Sequence, residues 1–157
     1  MANTTGICET IDCPKGFYFG DPCYALDERL YDAWLEWGRE REKTEGRWCN
    51  DGKFVHEGKE IMVVDSTAFG DGCYLGKERE YGVDAGCLAV IPLEYCTKEG
   101  FENLGLVIKE FNGAVSLETD GEAGSFHVEW GAGYEEVETS EYEGLWDEED
   151  YEEETEE

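Results

Sequence analysis

The sequence predicts an α+β domain: a mostly antiparallel sheet with one principal helix over about residues 27–43, and an acidic C-terminal segment. Three observations lead there. Apolar residues recur at helical spacing in one stretch, through Leu30, Ala33, Trp34 and Trp37. The other apolar runs are short, rich in Val, Ile, Phe and Tyr, and bounded by Gly, Asp, Asn or Pro. From about Ser140 the composition turns to carboxylates.

Taken in order, the first fifteen residues read as irregular. Residues 16–26 suggest a short strand broken at Gly20-Asp21-Pro22, where proline removes a backbone donor. The helix follows, with Asp27 as its N-cap and Glu36, Arg39, Glu40 and Arg41 on its polar side. Two tryptophans three apart serve to anchor such a helix to a core. Residues 47–49 and 53–56 read as a hairpin around Asn50-Asp51-Gly52. Residues 60–65 and 81–92 have the pattern of buried strands, the second ended by Pro92. Residues 97–103 suggest a helical turn. Residues 104–111, 114–118 and 125–130 look like a meander turning at Asn112-Gly113 and Asp120-Gly121, with a last strand through 134–139. Residues 1–139 are thus expected to form a single domain, and 140–157 an acidic tail punctuated by aromatics.

The chain has 157 residues, enough for one domain with a genuine core. With 40% apolar and 13% aromatic residues there is material to bury. No run approaches the roughly eighteen apolar residues a membrane span needs. Met1-Ala-Asn-Thr-Thr-Gly-Ile-Cys8 has neither a basic start nor an apolar stretch, so no secretory signal is read there and the cytoplasm is the expected location. Seven cysteines stand at positions 8, 13, 23, 49, 73, 87 and 96, an odd number without a C-x-x-C pair. Free structural thiols are expected in a reducing compartment.

Charge is the loudest signal. Forty acidic residues against twelve basic give a net charge of −28. Residues 1–109 hold 21 acids and all 12 bases; residues 110–157 hold 19 acids and no Lys or Arg. Such a field repels nucleic acid and anionic membranes and attracts basic partners over roughly a Debye length. A conventional nucleic-acid reader is excluded on this ground.

One internal echo stands out. Phe19-Gly20-Asp21-Pro22-Cys23-Tyr24 is matched by Phe69-Gly70-Asp71-Gly72-Cys73-Tyr74. Both read as tight turns in which Asp accepts backbone hydrogen bonds two residues on, and the two are expected to pack side by side as equivalent corners. Asp21 and Asp71 are therefore candidates for a turn site. Gly-Asp-Pro-Cys-Tyr, Gly-Asp-Gly-x-Tyr and Val-Asp-Ala-Gly-x-Leu together resemble a group of small uncharacterised phage and bacterial proteins, over roughly residues 16–95. The resemblance implies a mobile-element context and carries no activity and no catalytic residues.

Enzyme chemistry finds little purchase. A Cys–His pair drawn from Cys23 or Cys73 with His56 or His127 is conceivable, but nothing local marks an activated nucleophile. Clustered zinc ligands, a Gly-rich phosphate loop and an Asp-x-Asp-x-Asp-Gly calcium loop are all missing. No cofactor and no metal are expected.

The reading that follows is a non-enzymatic acidic binding protein, of the phage-type nucleic-acid mimics that inhibit basic host proteins in the anti-restriction or anti-CRISPR manner. Carboxylates on alternate strand residues lie about 6.6 Å apart, similar to phosphates along one DNA strand. The candidate partner-binding residues are Glu129, Glu135, Glu136, Glu138, Glu141 and Glu143, then Trp146, Asp147, Glu148, Glu149, Asp150 and Tyr151 in the tail. The expected partner is a basic protein surface. Two alternatives stand beside this: a small partner-binding, ligand-binding or immunity module built on the paired Gly-Asp turns, and a salt-adapted acidic protein without mimicry.

Overall fold

Alternation of apolar side chains sorts this chain into three layers. The computed structural model describes residues 6–46, 51–68, 70–120 and 124–139. Its elements are β1 (Cys8–Cys13), β2 (Phe17–Gly20), α1 (Glu28–Glu45), β3 (Gly52–His56), β4 (Lys59–Ser66), β5 (Gly72–Leu75), β6 (Glu80–Val83), β7 (Cys87–Pro92), β8 (Leu106–Ile108), β9 (Gly113–Asp120), β10 (Ser125–Trp130) and β11 (Gly133–Glu138). Short 3-10 turns occur at Pro22–Tyr24, Leu93–Tyr95 and Phe101–Asn103. The strands pair as a five-stranded sheet, β3-β4-β7-β2-β8, a four-stranded sheet, β1-β9-β10-β11, and a two-stranded ribbon, β5-β6. Every strand ladder is antiparallel.

The five-stranded sheet is the middle layer. Phe17, Phe19, Val63, Leu88 and Val90 point to one side, where they meet Ile11, Val115, Leu117, Phe126, Val128 and Val137 of the four-stranded sheet. Tyr18, Met62, Val64, Ala89 and Ile91 point to the other, where Trp34 of α1 packs with Leu26 and Phe54. Strands covered on both faces read as continuous apolar runs, and β7 is buried at all six positions.

The helix forms as its caps dictate. The Asp27 side chain accepts the N–H of Arg29 at 3.1 Å. At the other end Gly46 takes φ 80° and returns its N–H to the Glu42 carbonyl at 2.8 Å. Trp34 is 1% exposed, Trp37 packs on Phe54 with ring centroids 5.2 Å apart, and the Arg41 guanidinium lies 4.3 Å from the Trp37 ring. Among the described residues the expected principal helix and mostly antiparallel pairing stand, but several expected elements differ.

β1 occupies a stretch expected to be irregular: its outward Thr10 and Asp12 mask an edge strand whose inward Ile11 and Cys13 are buried. The expected strand over 81–92 is two strands in different sheets. The chain turns between them at Asp84-Ala85-Gly86, where Gly86 takes φ 75°. The expected meander loses its first member, because β8 pairs with β2 and only β9, β10 and β11 run on as hairpins. The 53–56 strand pairs forward with β4 through Glu57-Gly58, both at positive φ as a type I′ turn requires. Its expected partner at 47–49 lies outside the described residues. So do Gly121 and the tail from 140 to 157. No helix among the described residues is long and apolar enough to cross a membrane.

Candidate partner interface

Period-two alternation gives the four-stranded sheet an inner apolar face and an outer polar one. The inner residues are those of the core. The outer residues of β9 and β10 are Ala114, Ser116, Glu118 and Asp120, then Ser125, His127 and Glu129. β11 adds Tyr134, Glu136 and Glu138, and β1 adds Cys8, Thr10 and Asp12. Register aligns them in rows. Cys8, Glu118, His127 and Glu136 form one; Asp120, Ser125 and Glu138 the next; Thr10, Ser116, Glu129 and Tyr134 a third. Asp12, Glu118, Asp120, Glu129, Glu136 and Glu138 are all exposed. None of the four strands contains Lys or Arg. Carboxylates two residues apart on one strand are about 6.6 Å apart, and those on alternate strands about 9.6 Å.

At the centre of this face His127 Nδ1 lies 3.0 Å from a Glu136 oxygen, and Nε2 lies 3.9 Å from Glu129. The imidazole stacks on Tyr134 with ring centroids 5.5 Å apart and planes 21° apart. Lys77, from the turn between β5 and β6, places its Nζ 4.6 Å from the Tyr134 ring centroid and 2.6 Å from Glu78.

Glu135, expected on this surface, is a correction. It faces inward and is fully buried. Its carboxylate accepts the Tyr81 hydroxyl at 2.6 Å, the Glu78 N–H at 3.0 Å and the Glu136 N–H at 2.8 Å. Burial first, then this bond to Glu135, hold the Tyr81 phenol well above its usual range. The carboxylate thereby ties the β5-β6 ribbon to β11, where the Lys77 N–H also donates to the Glu136 carbonyl at 2.9 Å. Strand alternation requires this outcome: if Glu136 and Glu138 point outward, Glu135 and Val137 point inward.

Asp21 accepts the N–H two residues on, as expected of its turn, but as an available turn site it is a second correction. It is fully buried and its oxygens are committed to the fold: Oδ1 accepts the Cys23 N–H at 2.8 Å, and Oδ2 accepts the N–H groups of Asp84 and Ala85. Burial pushes its carboxyl up, and the three N–H donors work against that. Tyr24 donates its hydroxyl to the Asp84 side chain. Asp71 instead is exposed. The two Gly-Asp turns are not equivalent corners. The first opens a 3-10 turn capped by Asp21, whereas in the second Gly70 and Gly72 both take positive φ. What they share is a neighbour, since both border the 84–86 corner: Thr67, ahead of the second turn, donates its N–H to the Gly86 carbonyl at 3.0 Å.

Of the other expected residues, Glu129, Glu136 and Glu138 lie together on the outer face. Glu141, Glu143, Trp146, Asp147, Glu148, Glu149, Asp150 and Tyr151 lie outside the described residues. Sequence reasoning missed Asp12, Glu118 and Asp120. The signal for two of them was present, in the alternation of Val115 and Leu117 with Ser116, Glu118 and Asp120.

The described cysteines carry free thiols. Burial pushes Cys13, Cys87 and Cys96 up to about 12, and burial with the Glu80 carboxylate pushes Cys73 up to about 11. Cys23 is raised further, by burial and then Asp21. Thiols in such settings are poor nucleophiles at neutral pH. Among the described residues no group of three or more His, Cys, Asp or Glu side chains is placed to hold a metal ion. An open groove of about 450 Å³ lies between the start of α1 and the β3-β4 turn, bordered by Leu30, Tyr95, Arg29 and His56.

No protein-family model matches this chain, and no curated protein or solved structure matches it either.

Proposed function

We propose that this chain is a non-enzymatic acidic binding protein that sets the outer face of its four-stranded sheet against a basic, nucleic-acid-binding surface of another protein, taking the place of the nucleic acid. One observation carries the reading. Four paired strands present six exposed carboxylates in register and contain no Lys or Arg. A sheet holds those charges at fixed spacing without the ordering cost that a flexible acidic segment meets on binding. Neutralising such a surface would release the partner's counterions, as DNA binding does. The partner such a face would suit is a host nuclease, repressor or RNA-guided effector, each of which holds nucleic acid on a basic surface.

The paired-turn reading is less well supported, because Asp21 uses both carboxylate oxygens inside the fold. Salt adaptation explains acidity without explaining why this face carries six exposed carboxylates and no Lys or Arg.

The test is binding of purified basic nucleic-acid-binding proteins to the wild type and to the variant Glu118→Gln/Glu129→Gln/Glu136→Gln/Glu138→Gln, at rising salt. The proposal expects affinity that falls steeply with salt and drops by at least about tenfold in the variant. Binding that ignores salt, or that the variant retains in full, contradicts it.

A further inference from the structure

We infer that His127 is a proton-operated gate on the acidic sheet face, loosening its hold on a cationic partner as pH falls; the inference rests on the docking role proposed above. Both ring nitrogens face carboxylates, Nδ1 toward Glu136 at 3.0 Å and Nε2 toward Glu129 at 3.9 Å. A neutral imidazole carries one N–H and one bare nitrogen, so it can donate to only one of the two. The other carboxylate then meets a lone pair and stays turned to the outside. Protonation makes both nitrogens donors. Glu129 and Glu136 are then drawn into ion pairs with the ring, and the centre of the face loses the charge a cationic partner would use.

The groups facing His127 leave little to compete with that change. Glu118 stands opposite it on β9, with Cys8 beyond in the same row on β1; Tyr134 and Glu136 come from β11 and Glu129 from its own strand. Lys77 at the β5-β6 turn lies over Tyr134, which stacks on His127, and is itself paired with Glu78. Histidine is the side chain whose charge ordinarily changes between pH 5 and 8, a range in which exposed carboxylates remain largely ionised.

The test uses the full chain and a fluorescein-labelled nona-arginine peptide, with affinity read by anisotropy at about pH 8 and about pH 6. Three proteins are compared: wild type, His127→Gln, and Glu118→Gln/Glu129→Gln/Glu136→Gln. Peptide held elsewhere on the chain is a background common to all three. Wild-type affinity should fall between the two pH values by roughly fivefold more than that of His127→Gln, the scale of two partly exposed ion pairs. A His127→Gln protein that follows the wild-type pH dependence, while the triple-Gln variant binds weakly, overturns the gate and leaves the docking role standing. A triple-Gln variant that binds as tightly as wild type overturns both. Matching urea midpoints for the three proteins assign any difference in binding to the surface rather than to folding.

Discussion

The carboxylate of Asp21 accepts the backbone N–H of Ala85 at 2.8 Å across 64 residues of chain. It fastens the end of β2 to the corner at which the chain leaves the β5-β6 ribbon and enters β7. Because every partner of Asp21 is a donor, Asp21→Asn puts an amide NH2 against N–H groups on at least one side. Its cost should be about 2–3 kcal/mol in urea unfolding, against less than about 0.5 kcal/mol for the exposed Asp71→Asn. Equal effects at the two positions would show that the repeated turns are structurally alike after all.

Glu135 and Glu136 are adjacent and should behave oppositely. Glu135→Gln leaves at least one buried donor without an acceptor and should cost about 2 kcal/mol of stability. Glu136→Gln should leave stability within about 0.5 kcal/mol while weakening binding to basic partners. Paired urea titrations and binding curves separate the two, and a Glu136→Gln protein that unfolds early would contradict the assignment of faces.

Much of this was legible in the sequence. Asp27 and the spacing of Leu30, Trp34 and Trp37 mark the start and the buried face of the helix, because caps and helical periodicity are local properties; its end falls at Glu45, two residues past the expected 43. The layering was harder to read. The run from Tyr81 to Pro92 looks like one strand, since nothing local says that Gly86 hands the chain from one sheet to another. β1 was hidden because an edge strand with an outward Thr10 and Asp12 has little apolar character. On the outer face, alternation was sufficient to find Glu118 and to exclude Glu135. Naming Glu135 beside Glu136 and Glu138 breaks the alternation that selects the latter two, and the same alternation was not carried back to β9, where it selects Glu118. Asp12 could be added only once β1 was known to pair with β9, a contact separated widely in sequence.

Stability should fall at alkaline pH, with a sign that follows from the buried Cys13 and Cys87 and the half-buried Cys96. Cys13, Cys87 and Cys96 are pushed from an ordinary 9.0 up to about 12. Below pH 9 these thiols are neutral in both folded and unfolded chains, and the stability is fully present. Above it the unfolded chain ionises first, so stability is lost as pH rises toward 12, by at most about 1.4 kcal/mol per pH unit for each thiol. The buried phenols of Tyr18 and Tyr81 act in the same direction. Urea midpoints between pH 8 and 11 should decline, and less steeply in Cys87→Ala; a flat profile would contradict the burial of these groups.

A protein adapted to concentrated salt unfolds when the salt is removed. Here two apolar cores and a fixed sheet face predict a cooperative thermal transition in dilute buffer, shifted upward only modestly by added salt through relief of carboxylate repulsion. Unfolding on dialysis into dilute buffer, reversed by concentrated salt, would favour the salt-adapted reading.

The proposed role requires the outer face of the four-stranded sheet to occupy a nucleic-acid-binding surface. Its most direct measurement is displacement of a labelled DNA duplex from a purified basic partner by this chain, read by anisotropy at low and moderate salt. Wild type should release the duplex competitively, less so as salt rises, and Glu118→Gln/Glu129→Gln/Glu136→Gln/Glu138→Gln should need at least about tenfold more protein. A chain that binds the partner while the duplex stays bound, or a variant that displaces it equally well, would contradict the account.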